Sequence, residues 1–278
     1  MRLDIKKTYK LFIGGQFPRS ESGRSYEITS PRGEFLANAA QASRKDLRDS
    51  VVAARSAFSN WSSATAFNRG QILYRIAEIM EGRRDQFIAE IAACEGVTLK
   101  KSSEQVDAAI DLWVWYAGWC DKYTSIAGSQ NPIAGPFYNF TTPEPLGVVG
   151  AIADQKSSLL GLVHAIAPII TSGNCAVVIA HERAPLSAIT LGEVLATSDL
   201  HAGVVNLLTG KVSELSPWLA AHMDVDGIDL SGVARKNIGE LQHVAAENLK
   251  RCHSFTGESL ERILAFTESK TVWHPIGV

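Results

Sequence analysis

The sequence predicts an α/β fold, a doubly wound parallel sheet with helices on both faces. Three observations lead there. Short apolar runs alternate with apolar helical segments four times between Gly147 and Asn248. The runs, "GVVGAIA" and "AVVIA" among them, are apolar throughout rather than at every second residue, as strands covered on both faces must be. Strand–helix alternation at this spacing sets each strand parallel to its predecessor, with a helix crossing over between them.

The elements follow in chain order. "YKLFIGGQFPRS" carries two apolar runs around Gly14-Gly15, a glycine pair that signals a hairpin. "SYEITSP" predicts a short strand. Ser43 with Asp46 three residues later opens a helix, and Leu47, Val51, Ala54 and Phe58 then recur at helical spacing up to Trp61. Asn68 is placed to cap the next helix, whose apolar face is Ile72, Leu73, Ile76, Ile79 and Met80. "DQFIAEIAA" continues the helical region, and Ser102 opens a long helix through Val106, Ala109, Ile110, Trp113 and Tyr116. Trp113, Trp115 and Trp119 are expected in the core or at an interface, not in a cofactor box. Glycine and proline break the run in "GSQNPIAGPFYNFTTPEP", where "FYNFTT" predicts a strand. The strands of the four β-α units are "GVVGAIA", "AVVIA", "GVVNLLTG" and "GIDLSG", and "LKRCHSF" is a further candidate.

The chain has 278 residues, 46% hydrophobic and 20% charged, with a formal charge of −2. That length builds a sizeable core. The charge offers no basic field for a phosphate backbone, so nucleic acid is not an expected partner. No stretch approaches the roughly 20 apolar residues that span a bilayer, and "MRLDIKKTYKLFIGGQF" has no apolar run of signal-peptide length. No membrane contact and a cytoplasmic location are therefore expected. Cys94, Cys120, Cys175 and Cys252 are widely spaced, as buried free thiols are, with no C-x-x-C pair for a zinc site. The seven histidines form no ligand set, so no metal is expected, and His164 is read as a satisfied core histidine.

Ligands of a doubly wound sheet bind beyond the carboxyl ends of its strands. Those turns are Asp154–Ser157, Ala180–Ala184, Thr209–Val212 and Gly232–Asn237. None carries the G-x-G-x-x-G of a dinucleotide site. "SGVARKN" has Gly232 alone, with Arg235 and Lys236 as charges that a surface turn would leave solvated. Cys252 and His253 are strand neighbours that point to opposite faces, so they form no nucleophile–base pair. The residues themselves assemble no catalytic constellation.

Five stretches, "EPLGVVGAI", "IAPIITSGNCAVVIAHERAPLSA", "HAGVVNLLTG", "HMDVDGIDLSG" and "NLKR", resemble the aldehyde dehydrogenases, and "FSNWSSATAFNRGQILYRIAEIMEGRRDQF" matches their N-terminal helices. The likeness runs from about Tyr9 to Arg251 with the same spacing. It implies a Rossmann-like cofactor domain, NAD(P)-dependent oxidation of aldehydes through a cysteine thioester, and a β-arm for oligomerisation.

The positions that carry this chemistry in the family are altered here. Asp154-Gln155-Lys156 stands where the family has P-W-N, whose Asn serves the oxyanion. Ile179-Ala180-His181-Glu182 stands where it has K-P-S-E, so the ribose-binding lysine is lost and Glu182 kept. Gly232-Val233-Ala234-Arg235-Lys236-Asn237 stands for G-S-T-x-x-G, with only Gly232 kept. The general-base glutamate of E-L-G-G aligns with Phe255, which takes no proton. Glu182, Gly232 and Lys156 are thus the candidate contacts to NAD, on a degenerate site, and no catalytic residue is assigned.

The nucleophilic cysteine would fall some thirty-odd residues past the base by family spacing, beyond Val278, and "LAFTESKTVWHPIGV" resembles the family's last strand. The expectation is a single domain over 1–278 with the catalytic domain deleted. Segments 9–30, 136–146 and 266–278 would together form the assembly β-arm. That arrangement is similar to the non-catalytic second half of family-16 aldehyde dehydrogenases, to which "KTYKLFIGG" and "ASRKDLRDSVVAA" are also similar. The expected partner is a catalytic aldehyde dehydrogenase chain or a second copy.

Overall fold

The computed structural model describes residues 5–277; residues 1–4, the start of "MRLDIKKTYKLFIGGQF", and Val278, the end of the expected last strand, lie outside the described residues. In chain order the elements are β1 (Thr8–Tyr9), β2 (Ser25–Thr29), β3 (Phe35–Ala40), α1 (Arg44–Ser63), α2 (Ala66–Gly82), α3 (Arg84–Glu95), α4 (Leu99–Ala117), α5 (Tyr123–Ala127), β4 (Ser129–Gln130) and β5 (Phe137–Pro145). The alternating half follows with β6 (Val148–Ile152), α6 (Leu160–Thr171), β7 (Cys175–Ile179), α7 (Leu186–Leu195), β8 (Val205–Leu208), α8 (Val212–Ala221), β9 (Gly227–Asp229), α9 (Arg235–Ala246) and β10 (Arg251–His253). A short α10 (Glu261–Leu264) leads into β11 (Thr267–Pro275).

The central sheet has five parallel strands in the order β10-β9-β6-β7-β8, as the alternation predicts. Every residue of β6, β7, β8 and β9 is buried, which is why these strands read as unbroken apolar runs. The chain builds outward from β6 through β7 to β8, then returns to the other side of β6 to lay down β9 and β10. That reversal makes β6/β9 the topological switch point, where loops at the strand ends part and leave a crevice.

Helix α1 packs on β7 and β8, burying Leu47, Val51, Ala54 and Trp61, and the Trp61 indole donates to the Ile170 carbonyl at 3.0 Å. Its capping box closes as the sequence predicts. Asp46 N–H donates to Ser43 Oγ (3.2 Å) and Ser43 N–H to Asp46 Oδ2 (2.8 Å). Two other helix starts shift. Thr65, not Asn68, caps α2, accepting from the Asn68 N–H at 3.2 Å. Thr98 caps α4, and Ser102 lies buried inside that helix with its hydroxyl donating to the Thr98 carbonyl. In both cases a threonine a few residues upstream supplies the oxygen at the spacing a cap requires. Trp113 is fully buried, Trp119 packs half-buried beside the core, and Trp115 stands 36% exposed.

The amino-terminal region corrects the expected β-arm. Gly14 and Gly15 do form a tight turn at φ +60° and +75°, and Ile13 and Gln16 exchange two backbone hydrogen bonds across it. Leu11 N–H continues the hairpin by donating to the Pro18 carbonyl at 3.0 Å, while Phe12, between Leu11 and Ile13, turns its backbone groups the other way and exchanges two hydrogen bonds with Leu207 on the open edge of β8. Segment 9–30 therefore does not join the other two arm segments. Its strand β2 pairs with β3, in a separate sheet of order β1-β3-β2. "FLANAA" in β3 has no β-branched residue, so no strand signal is legible there. The other two segments do pair, β5 with β11 antiparallel over nine registers, and their third strand is β4.

Among the described residues no helix is long and apolar enough to cross a membrane, and no group of three or more His, Cys, Asp or Glu is placed to hold a metal.

One glycine sets the shape of the switch point. Gly232 donates its N–H to the Ile152 carbonyl at 3.0 Å, and a Cβ there would collide with the Ile152 and Ala153 oxygens. Gly239 in α9 has open space around it. Gly232→Ala should lower unfolding free energy by about 2–3 kcal/mol through forced backbone displacement. Gly239→Ala should raise it by about 0.5–1 kcal/mol. Urea denaturation of both variants checks the pair, and equal effects would contradict the close approach.

Candidate functional site

The turn after β6 is held by residues far away in sequence. Ala153 N–H donates to the Ile179 carbonyl, and Ser157 Oγ accepts from Gly161 N–H at 2.9 Å. Glu95 Oε1 accepts from Ser158 N–H at 2.8 Å, and Gln105 Oε1 accepts from Leu159 N–H at 3.0 Å and Leu160 N–H at 3.4 Å. The free amides that open a helix attract anions. Here side chains of α3 and α4 already satisfy them. Sequence reasoning missed Glu95 and Gln105, because nothing local marks a mid-helix glutamine as the cap of another helix.

The second turn is bound to the first. Gln155 Oε1 accepts from Glu182 N–H at 2.9 Å, and the Gln155 carbonyl accepts from His181 Nε2 at 2.8 Å. Ala184 N–H donates to His181 Nδ1 at 3.0 Å, which fixes the tautomer with its proton on Nε2. Burial holds this imidazole below its usual pKa, against the opposing hydrogen bond to Gln155. Glu182 directs Oε2 onto Val212 N–H at 2.9 Å, at the start of α8, which has no cap of its own. An anion there also complements the helix dipole.

Three clefts open around these turns. One of about 740 Å³ lies between β6 and β9 and is lined by Lys156, His164, Asp229, Gly232, Phe255 and Arg262, among others. A second of about 680 Å³ lies beside Lys156, His181 and Glu182. A third of about 380 Å³ lies between α8 and α9, beside Gln155, Glu182 and Gly232. The three predicted contact residues thus surround one region, but no single cleft is lined by all three. Lys156 is exposed, as are Arg235 and Lys236 at the start of α9.

Phe255 lines the largest of these three clefts, stacked 5.6 Å from the His253 ring, with the Arg262 guanidinium 4.9 Å from its centroid. Arg262 is buried and reaches the Gly257 carbonyl (2.6 Å), the His164 carbonyl (3.1 Å) and Asp229 Oδ2 (3.4 Å). Asp229 also accepts from the Ser231 N–H and hydroxyl. Burial nonetheless pushes its carboxyl above the usual range, against the pull of Ser231 and Arg262. The expectation of a satisfied His164 fails. Its Nδ1 is sealed from solvent with no hydrogen-bond partner, and burial, then the Arg262 charge, lowers its pKa.

No cysteine lines the first or third cleft, and Cys94 at the edge of the second is a buried thiol. Burial pushes the thiols of Cys94 and Cys175 up to about 12 and Cys120 up to about 11, and it raises Cys252 as well. All four stay protonated near neutral pH, so none is a thiolate nucleophile.

Compared with known proteins, residues 17–259 match the aldehyde dehydrogenase family. The chain belongs to that family. It is 35% identical over 262 residues to retinal dehydrogenase 2 of Gallus gallus, covering 90% of this chain and 49% of that protein. Omega-crystallin of Enteroctopus dofleini is 30% identical over 257 residues, covering 90% and 50%. Among solved structures, HpcC from Thermus thermophilus superposes with a TM-score of 0.85 at 30% identity, over 90% of this chain and 48% of that one. An aldehyde dehydrogenase of Bacillus cereus in complex with NAD+ gives 0.83 at 26% identity, over 88% and 50%. The chain spans about half the length of the curated relatives it matches.

Residues of the site fit a dinucleotide poorly. Gly232 keeps the close backbone approach, but Glu182 is committed to Val212. Ile179, at the family's lysine position, is a fully buried strand residue. Gln155 and His181 are spent on holding the two turns together.

Acid should expose that staple. His181, His164, His222 and His253 all have folded pKa values below their ordinary one. As pH falls below about 6.5, the unfolded chain binds protons that the folded chain refuses, so stability is complete above that pH and falls below it. His181→Gln should lose about 1–3 kcal/mol at pH 7 for two impaired buried hydrogen bonds and flatten the decline between about pH 7 and 5. Urea melts across that range check both effects.

Proposed function

We propose that this chain is a non-catalytic subunit of the aldehyde dehydrogenase family, assembling with a catalytic member or with a second copy of itself. The observation that carries the reading is the outer edge of β11. Strand β11 pairs with β5 on one side and, among the described residues, with no strand on the other. Alternate residues of the strand turn their backbone groups to this edge, and of these the Thr267 carbonyl already accepts from Arg251 and Pro275 has no N–H, so Ser269, Thr271 and Trp273 carry the free donors and acceptors. Exposed aromatics accompany it: Phe137 and Trp273 meet edge to face at 5.9 Å, with Trp273 59% exposed and Tyr138 42% exposed. A further chain added to this edge would gain main-chain hydrogen bonds and cover those rings. The resemblance to the non-catalytic half of family-16 aldehyde dehydrogenases and a cytoplasmic location belong to the same reading.

The cleft supports the non-catalytic half of the proposal. Phe255 holds the position of the family's general base, and every described thiol lies outside the cleft between β6 and β9 and protonated. A cleft with neither a thiolate nor a carboxylate base at these positions has no groups of its own for a covalent route. NAD binding without turnover is the second reading, favoured by the backbone approach at Gly232.

Native mass spectrometry of the chain, alone and mixed with a purified catalytic aldehyde dehydrogenase, should show a dimer or a mixed oligomer. Thr271→Pro in β11 should weaken that assembly at least about tenfold, the equivalent of one backbone hydrogen bond or more. A persistent lone monomer under both conditions refutes the assembly reading. With NAD and a set of aldehydes, neither the chain nor Phe255→Glu should form NADH above buffer. Calorimetric titration with NAD decides the second reading.

A further inference from the structure

The cleft between β6 and β9 holds a buried cation that the fold only partly uses. Arg262 is 4% exposed and lines the space between β6 and β9. Its Nε and Nη1 are engaged by the Gly257 and His164 carbonyls and by Asp229. Nη2 has no hydrogen-bond partner among the described residues, and it is not among the polar atoms sealed off from solvent. His164 lines the same cleft, and its Nε2 is likewise unpartnered and unsealed, while its Nδ1 is shut inside. The Arg262 bond to the His164 carbonyl ties these two side chains to one place.

Nη2 faces the open cleft, where a ligand oxygen can take the place of water as its acceptor. Asp229 is a poor candidate for full neutralisation. It stands 3.4 Å from Nη1 and spends its other oxygen on Ser231. The walls are chiefly apolar, with Leu160, Ala165, Val233 and Phe255 beside the polar floor. Exposed Lys156 and Arg235 stand among the lining residues as further cations, against Asp154. Arg262 lies just beyond the stretch that matches the family.

We propose that this cleft binds a small organic carboxylate, its two oxygens accepting from Arg262 Nη2 and from a His164 Nε2–H, and its apolar body lying against Leu160, Val233 and Phe255. A carboxylate suits one face of a guanidinium fork, and a neutral imidazole can supply the second donor. At about 740 Å³ the cleft holds a ligand well above acetate in size. The inference rests on the cleft alone and is independent of the assembly reading.

The test is an NMR titration of the histidine ring signals in the intact chain, with butanoate and benzoate as probes and phosphate and chloride as controls. Binding predicts a saturable shift of the His164 signals with benzoate, and a weaker one with butanoate. Arg262→Lys should raise the dissociation constant about tenfold or more, as loss of a charge-assisted hydrogen bond does. Because that buried variant can fail to fold, Leu160→Trp is the second variant. It fills the cleft from the half-buried start of α6 without touching the ion pair, and should abolish the shift. Three outcomes overturn the proposal: no saturable shift with either probe below about 10 mM, a constant in the range of the weakest specific binding; an equal response to phosphate or chloride; or full binding in Leu160→Trp.

Discussion

The architecture around the site depends on how closely one backbone passes another at the end of β6. Gly232 lies against the Ile152 and Ala153 carbonyls and donates its N–H to the former. Any side chain there would push the turn after β9 away from β6, and β9 pairs with β6 over only three registers. That contact sets the separation of the two loops at the switch point, and so the mouth of the cleft between β6 and β9. The floor of the cleft follows from it. Ser231, one residue earlier, gives its hydroxyl to Asp229 and accepts the Phe255 N–H at 2.8 Å. The glycine therefore positions a chain of contacts from β6 through Ser231 to Phe255, and Arg262 then spans Asp229 and His164.

Much of this fold is legible in the sequence because its cause is local. Continuous apolar runs mark β6 to β9, which are buried on both faces, and the Ser43/Asp46 box marks the start of α1. The failures have a common cause in tertiary pairing. β3 is a strand because β1 and β2 flank it, not because "FLANAA" favours one. Phe12 turns the outer side of its hairpin onto the edge of β8 for two hydrogen bonds that no local signal announces. The site divides in the same way. Glu182, Gly232 and Phe255 lie at strand-end turns, the places a doubly wound pattern singles out, whereas Glu95, Gln105 and Arg262 act across 54 to 98 residues of chain separation. No window of sequence contains both partners of such a contact.

The rewritten turns show where a scaffold tolerates change. Residues of β6 to β9 and the core faces of the covering helices are buried, and truncating a large one of them costs about 2–5 kcal/mol. That is a large part of the roughly 5–15 kcal/mol by which a domain is stable. The turn residues face clefts, and replacing them costs little so long as the backbone hydrogen bonds are met. Here they are met by new means. Gln155 and His181 tie the first two turns, Glu182 serves the start of α8, and Gln105 serves the start of α6. The side chains of these turns act as internal struts.

Those struts also shape the electrostatics of the site. In a doubly wound fold the attraction for anions comes from free amides at helix starts. In this chain the first amides of α6 and α8 are occupied by side-chain oxygens, one of them the carboxylate of Glu182. An anion approaching either helix would have to displace an internal hydrogen bond. The remaining buried donor is the Arg262 guanidinium, carried by a segment that lies past the family match and held on three sides by its own contacts. Helix dipoles fade within a turn and are shared over several amides, whereas a guanidinium presents a full charge at one point. The start of α9, by contrast, has no side-chain cap and borders the same clefts, so the buried guanidinium adds a single point donor beside one open helix start. Such a donor matches a ligand with one small anionic group and an apolar remainder.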